Sequence, residues 1–329
     1  MKIKTLTKQL GVLSIFFVQY ASGQDFHLSQ YDAAPQYLNP SLTGMYFGEK
    51  HDYRLNVNYR SQWRSLSGKA FSTATMGFDM PYKRFGIGGF IINNRAGTGG
   101  FNTLNFLLSG AYDIMKEGNH KHNLSTGLQL GIFQKSYNSS SLLFDNQYSP
   151  SSGSFDPTIS SGESFSSNSL LRFDANLGIF YRMKDENKKL NPYGGFSIYH
   201  ITQPDESFTS LKNKMSMRFT LHGGVNIAVN EQIMVSPNMI YMSQARTSEL
   251  NMGILSYYKL KDSEYDIMFG LSYRNKDAMI IHTGLKQGGN HYRISYDINT
   301  SYLNTFSRGR GGIEFSVIYT GTRKRAPKS

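Results

Sequence analysis

Histidines, serines and glycines are the residues of this chain that could support catalysis or hold a metal or phosphate. The sequence HKH at His120–His122 places two imidazoles together but offers no third metal ligand. The sequence GIGG at Gly86–Gly89 has the glycines of a phosphate loop without a helix after them. His200 and His222 could serve as bases of an outer-membrane lipase, which would need both a serine and a histidine facing the membrane. No GxSxG motif occurs. We therefore expect no enzyme activity, no catalytic residue, no metal and no cofactor.

A second group of candidates consists of charged residues that alternate with apolar ones. In a membrane barrel, such alternation places the charges on the lumen side. They could line a water-filled channel, or they could form buried ion pairs that close a narrow lumen. The near balance of positive and negative charges among them favours ion pairing. The predicted lumen charges are Arg54, Arg60, Arg172, Asp174, Arg182, Arg293, Asp297 and Glu314.

Strands must position these charges, because apolar and polar residues alternate with a period of two through long parts of the chain. After Asn102, for example, Leu104, Phe106 and Leu108 share the face opposite Thr103. Such segments exceed the roughly 9 to 11 residues that a tilted membrane-spanning strand needs. Strands of soluble sandwiches are shorter, with about five or six residues. The pattern predicts an all-β fold, a single antiparallel transmembrane β-barrel.

About fourteen alternating segments can be counted, an even number as single-chain outer-membrane barrels require. They cover 51–63, 69–80, 84–96, 101–116, 121–137, 169–184, 190–202, 214–229, 232–244, 247–261, 264–275, 278–288, 290–303 and 311–320. The long connections, 138–168, 203–213 and 304–310, all follow odd-numbered segments. Short periplasmic turns and long surface loops have this distribution, so the predicted barrel spans residues 51–320.

The N-terminus has the features of a secretory signal peptide. Lysines precede an apolar run from Leu10 to Val18, and Ala21–Gly23 offers a cleavage site before Gln24. No later segment reaches the ~18 consecutive apolar residues of a membrane helix, and the chain has no cysteine for a disulfide or a lipid anchor. The net charge of +12 comes from scattered residues, so nucleic-acid binding is not expected. We expect residues 1–23 to direct export to the outer membrane.

The stretch SQYDAAPQYLNPSLTG, residues 29–44, has neither a helical nor a strand period. We expect residues 24–50 to start in the periplasm, and either to fold against the barrel base or to enter the lumen as a partial plug. Either position would bury Tyr31, Tyr37 and Leu38. A disordered leader is the alternative. Residues 321–329 form a predicted basic tail.

Several motifs recur along the mature chain in a characteristic order. SQY and YLNPSLTG are followed by NYRSQW, LLFDNQYSP, FDPTISSGES, FDANLGIFYR, NPYGGFSIYHITQP, YDINTSYL and GRGGIEFSVIY. This order resembles the PorP/SprF family of type IX secretion system outer-membrane proteins of the Bacteroidetes, over nearly the whole mature chain. The first motifs contribute Gln30, Tyr31, Asn39, Pro40, Gly44, Tyr59, Arg60, Gln62 and Trp63.

The resemblance implies a function without catalysis. Family members work with proteins secreted by the type IX system, often surface adhesins, in their export or retention at the cell surface. One branch is tied to gliding motility, and another to the periplasmic ring of the secretion machine. Expected partners are therefore a secreted substrate, other secretion components and outer-membrane lipid.

The long loops contain the candidate partner-binding residues, because a barrel can hold a partner without any chemistry. The candidates are Phe144, Asp145, Tyr148, Phe155, Asp156, Phe208, Arg308 and Arg310. The alternative function is a passive channel or a transporter for hydrophobic solutes, which requires an open lumen.

Overall fold

The computed structural model describes residues 25–46, 51–63, 70–97, 100–115, 121–138, 142–162, 167–209, 212–302 and 304–322. The predicted signal peptide, and most of the predicted basic tail, lie outside these ranges. The described ranges contain two α-helices, α1 (Pro35–Leu38) and α2 (Asn304–Ser307). Neither is long and apolar enough to cross a membrane.

Fourteen strands of the described part of the chain close into one antiparallel β-barrel. They are β1 (Tyr53–Gln62), β2 (Phe71–Tyr82), β3 (Phe85–Ala96), β4 (Phe101–Asp113), β5 (His122–Ser136), β8 (Ser169–Met183), β9 (Leu190–Tyr199), β10 (Arg218–Ala228), β11 (Ile233–Gln244), β12 (Thr247–Lys259), β13 (Tyr265–Arg274), β14 (Ala278–Gln287), β15 (Asn290–Asn299) and β16 (Arg310–Gly321). Consecutive barrel strands pair with each other, and β1 pairs with β16 to close the ring. The predicted all-β barrel is confirmed.

Two strand limits differ clearly from the prediction. Strand β10 was expected to begin at 214 but begins at Arg218, because Lys214 forms a bridge with Asp205 inside the preceding loop. Strand β15 was expected to reach 303 but ends at Asn299, whose side chain accepts a hydrogen bond from the N–H of Ser301 at 2.9 Å. Local side-chain bonds of this kind compete with the strand ladder.

The two faces of the strands differ as the alternation predicts. On the outer face Leu108 is 59% exposed, whereas Gln129 on the inner face is fully buried. Successive side chains of a strand point to opposite faces. An apolar exterior around a polar interior is the arrangement of a barrel that spans lipid.

The two ends of the barrel differ in the length of their connections. One end, here called the turn end, has two-residue turns at 83–84 and 288–289. The opposite end, the loop end, carries the loops 137–168, 200–217 and 300–309. The first of these loops contains a short hairpin of β6 (Tyr148–Ser149) and β7 (Ser154–Phe155). Long loops of such barrels are extracellular, and we assign the loop end to the cell exterior.

Residues 25–46, here called the lumen segment, lie inside the barrel. The segment contains a 3-10 helix at Tyr31–Ala33, the helix α1 and a second 3-10 helix at Pro40–Leu42. From Leu28 onward its residues are buried or half-buried. Helical pieces this short are not stable alone in water, so contacts with the barrel wall must hold them.

Candidate functional site in the lumen and at the loop end

The lumen segment runs through the barrel from one end to the other. At the loop end the backbone N–H of Asp25 donates to Oε1 of Gln244, the last residue of β11, at 2.8 Å. At the turn end the hydroxyl of Tyr46 donates to the carbonyl oxygen of Asp79 in β2 at 2.6 Å. We expected residues 24–50 to start in the periplasm, but Asp25 lies near the outer mouth of the barrel.

A buried charge cluster joins the lumen segment to the wall near its start. The Arg60 guanidinium, 2% exposed, lies 2.8 Å from the Asp297 carboxylate and 3.2 Å from that of Glu314. Arg274 lies 2.6 Å from Asp297 on the other side. Ser29 donates its backbone N–H to Glu314 and its hydroxyl to Asp297, both at 2.7 Å. Two positive and two negative side chains therefore neutralise one another out of water, as burial of charge requires.

Two further ion pairs bind the segment closer to the turn end. Arg293 donates two hydrogen bonds to the Asp32 carboxylate, at 2.7 and 2.9 Å. Arg54 donates to the Asp79 carboxylate, which also accepts the backbone N–H of Gly44 at 2.6 Å. Paired guanidinium and carboxylate groups fix geometry as well as charge.

Asn39 fastens the middle of the segment to the wall. Its amide Nδ2 donates to the carbonyl oxygens of Ile179 and Phe196, at 3.0 and 3.3 Å, and its Oδ1 caps the following 3-10 helix. Glycines make room for this side chain: a Cβ at Gly195 would lie 2.7 Å from Nδ2, and a Cβ at Gly178 would overlap Oδ1. The asparagine was among the predicted motif residues, but its glycine partners were not, although they stand within the motifs FDANLGIFYR and NPYGGFSIYHITQP.

The other motif residues of the segment also contact the wall. Gln30 donates its amide to Ser295 at 3.0 Å. The hydroxyl of Tyr31 donates to Asn238 at 2.7 Å. Pro40 begins the second 3-10 helix, where its missing N–H costs no hydrogen bond.

The motif NYRSQW alternates between the two faces of β1. Tyr59 points outward to the membrane, whereas Arg60 points into the charge cluster. Gln62 accepts a hydrogen bond from Arg60 Nε at 2.9 Å. Trp63, at the end of the strand, packs its ring edge-on against Phe71 with the centroids 5.1 Å apart.

A histidine ties the start of the segment to the loop end. His200 lies 2.7 Å from the carboxylates of both Asp174 and Asp25, and Arg218 lies 3.0 Å from Asp25. Burial alone would lower the pKa of His200, but the two carboxylates outweigh it and raise that pKa to about 9. Burial likewise raises the pKa of Asp25, yet His200 and Arg218 hold it well below its usual value. His222 also faces inward, 3.2 Å from the Asn39 amide, so neither candidate lipase base faces lipid.

Arg172 does not pair in the lumen as predicted. Its Nε donates to the backbone carbonyl of Asp205 at 2.6 Å, so it holds the 200–217 loop at the rim. Arg182 lines a cavity of about 260 Å³ between the segment and the wall, together with Tyr193. A second cavity of about 100 Å³, lined by Phe26 among others, shares no lining residue with the first. These two cavities therefore have separate linings.

Five candidate partner residues lie on the 137–168 loop. The rings of Tyr148 and Phe155 meet edge-on across the hairpin with centroids 5.4 Å apart, and they are 47% and 43% exposed. Asp145 is exposed at the start of a short 3-10 helix, and Phe144 before it is half-buried. Asp156 uses its carboxylate to accept the backbone N–H two residues later at 2.9 Å. The structure thus brings these candidates together on one loop.

Phe208 is placed differently from the other candidates. It packs edge-on against Tyr137, with centroids 4.8 Å apart, and contacts a buried cluster of Phe133, Leu170 and Met215. It is therefore a packing residue of its loop and not an exposed contact. Its apolar ring therefore packs against residues of the same chain.

The 300–309 loop contains two exposed aromatic residues that were not among the predicted partner-binding residues. Tyr302 is 85% exposed and Phe306 is 71% exposed. Arg308 is exposed beside them, and Arg310 begins β16. Phe306 stood in the predicted loop 304–310, whereas Tyr302 was assigned to the predicted strand 290–303 and joins the loop only because β15 ends at Asn299.

Comparison with known proteins identifies the family and the fold. A family model described as "Type IX secretion system membrane protein PorP/SprF" matches residues 21–319. No curated protein matches the chain. Among solved structures, the CymD monoaromatic hydrocarbon channel is 12% identical with a TM-score of 0.50, covering 89% of this chain and 93% of that one. A TodX deltaS2S3 mutant monoaromatic hydrocarbon channel is 10% identical with a TM-score of 0.52, covering 87% and 93%. The Pseudomonas putida toluene transporter TodX is 10% identical with a TM-score of 0.48, covering 92% and 96%.

Proposed function

The chain belongs to the PorP/SprF family of type IX secretion system membrane proteins and forms an outer-membrane β-barrel, and from this premise we propose that it binds a secreted partner at its loop end. The partner is an adhesin-like surface protein of the same secretion system. Binding supports its export or keeps it at the cell surface, and gliding motility is one output of such an anchor. Other secretion components meet the barrel from the periplasmic side.

The observation that carries this proposal is the occupied lumen. Ser29 bonds to carboxylates of β15 and β16, while Asn39 bonds to carbonyls of β8 and β9 on another side of the ring. A solute that passed through the lumen would have to break buried ion pairs. Their separated charges would then be left without solvating water. A barrel filled in this way acts through its outer surfaces, which favours partner binding over passage.

The exposed side chains of the loop end fit this role. Tyr148 and Phe155 stand together on the hairpin, and Tyr302 and Phe306 are exposed on another loop. Exposed aromatic groups of this kind are uncommon on surfaces that meet only water, and they are enriched among residues that dominate binding energy. The two loops lie on distant parts of the rim, so one large partner can span the mouth.

The test is an affinity purification of the tagged barrel from detergent-solubilised outer membranes. We expect one secreted protein to co-purify with the wild type, and its recovery to fall at least tenfold in the double variant Tyr148→Ser/Phe155→Ser. The control Tyr82→Ser removes a still more exposed aromatic, 63% exposed, from the turn end and should leave recovery unchanged. A barrel that purifies alone in every case would contradict the proposal.

The second candidate is a channel for hydrophobic solutes. Its support is the barrel fold shared with monoaromatic hydrocarbon channels and the two lumen cavities. A channel predicts conductance, or uptake of an aromatic hydrocarbon, when the wild-type barrel is inserted into planar bilayers or vesicles. If the barrel binds a partner and its lumen is filled, we expect neither conductance nor uptake.

A further inference from the structure

Strand β16 contains an irregularity that changes the direction of one charged side chain. Gly311–Gly312 lie together opposite the single residue Asp297 of β15, which makes a β-bulge. A Cβ on the first of these glycines would lie 2.5 Å from the carbonyl oxygen of Asp297, so a larger residue does not fit. Because side chains alternate along a strand, the extra residue reverses the direction of those before it. Arg310 therefore pairs with the outward-facing Ile298 and does not share the inner face with Glu314.

The side chain of Arg310 borders a groove on the outer wall of the barrel. The groove has a volume of about 470 Å³ and crosses β1, β16 and β15. Tyr59, Tyr296 and Phe315 form its apolar sides, and the two bulge glycines leave its upper end without side chains. Among the described residues, no carboxylate forms a salt bridge with Arg310.

The ends of two strands lead us to place the groove at the level of the outer headgroups. Arg310 is the first residue of β16 at the loop end, and β1 ends beside it at Gln62. An arginine facing hydrocarbon is strongly disfavoured, but near the interface it is tolerated. There its planar guanidinium can bind a phosphate through two parallel hydrogen bonds. Tyrosines such as Tyr59 and Tyr296 are also typical of this level of the membrane.

We propose that this groove binds one phosphate-bearing lipid of the outer leaflet. An acyl chain lies along Tyr59, Tyr296 and Phe315, and the phosphate binds the Arg310 guanidinium. The occupant follows from charge complementarity. The groove offers apolar walls below and, above them, a cation that pairs with no carboxylate of the described residues, and this arrangement complements an anionic amphiphile. Arg310 was predicted as a partner-binding residue, but it borders this groove. The proposed partner surface uses the loop aromatics Tyr148, Phe155, Tyr302 and Phe306 instead, so either proposal can fail alone.

The test is native mass spectrometry of the full mature barrel in detergent, titrated with diphosphorylated lipid A or with its dephosphorylated form. We expect the wild type to retain one diphosphorylated molecule and to bind the dephosphorylated form at least tenfold more weakly. Arg310→Gln should lose the same tenfold preference for phosphate. Arg246→Gln, which changes another exposed arginine at the loop end, should behave as the wild type does.

A second variant tests the apolar part of the groove. Ser61→Trp adds a large side chain to its lining and should weaken binding of both lipid forms. Heat-modifiable migration on gels verifies that each variant is folded. Equal binding by Arg310→Gln and Arg246→Gln would overturn the proposal, as would a wild type that binds both lipid forms alike. A co-purified protein in place of lipid, lost with Arg310→Gln, would overturn it as well.

Discussion

Replacing Arg60 by methionine tests the charge cluster in the lumen most directly. The guanidinium is buried between the carboxylates of Asp297 and Glu314. Methionine fills most of its volume but leaves Arg274, which also pairs with the half-buried Asp277 at 2.5 Å, as the only arginine of the described residues beside the two carboxylates. Removing one partner of a buried ion pair costs roughly 3–5 kcal/mol, because the remaining charge is left uncompensated out of water. We expect the free energy of unfolding of the barrel to fall by about that amount.

The structure also predicts which carboxylate is left uncompensated. Asp297 keeps Arg274 at 2.6 Å. Among the described residues, the Glu314 carboxylate keeps backbone N–H groups of the lumen segment and a 3.4 Å contact from the Asn58 amide. The second change Glu314→Gln restores neutrality. The double variant Arg60→Met/Glu314→Gln should therefore recover at least half of the loss, and a double-mutant cycle should show strong coupling between the two sites.

The assay is urea unfolding of the barrel in phospholipid vesicles, followed by fluorescence. The chain has one tryptophan, Trp63, which lies three residues from Arg60 and so reports on this region. Arg246→Met, at an exposed position in a tight turn, is the matched control and should change stability by less than about 0.5 kcal/mol. The reasoning would be refuted if Arg60→Met cost no more than this control, or if the double variant were no more stable than the single one.

Three further changes test other contacts of the lumen segment. Charged His200 stabilises the fold fully below its unfolded pKa of 6.5, and this contribution is lost as pH rises through about 9. Between these limits the wild type should lose about 3 kcal/mol more than His200→Gln in urea unfolding; parallel pH curves would contradict this. Gly178→Ala should lower stability by about 1–3 kcal/mol because its Cβ overlaps Asn39. Gly110→Ala should not, because the nearest atom to its Cβ would be the Gly86 carbonyl oxygen at 4.0 Å, an ordinary contact. Equal melting temperatures would argue against the close contact at Gly178. Deleting residues 25–46 should turn a silent barrel into a conducting one in planar bilayers, and a folded but silent deletion variant would show that the segment does not close the lumen.

Much of the barrel could be read from the sequence because the information is local. Alternation with a period of two follows from the geometry of a single strand, so it identified the strands and the face that each residue occupies. Leu108 outside and Gln129 inside illustrate this. The lengths of the connections likewise separated the two ends. The partner-binding residues on the loops remain a prediction, since an exposed side chain does not reveal what binds it.

The contacts of the lumen were beyond the sequence, because they join residues far apart along the chain. Ser29 meets Glu314 across 285 positions, and this meeting depends on ring closure and on the path of a segment without periodicity. Local patterns also failed to predict the contacts of two single side chains. Arg172 bonds to a loop carbonyl, and Phe208 packs against its neighbours. At Arg310 a bulge of one extra residue reversed the face that alternation predicts. The sequence by itself determined which residues face inward and how many strands surround them. Only the tertiary structure decided which inward residues meet, because pairing in a closed barrel depends on register and on what fills it.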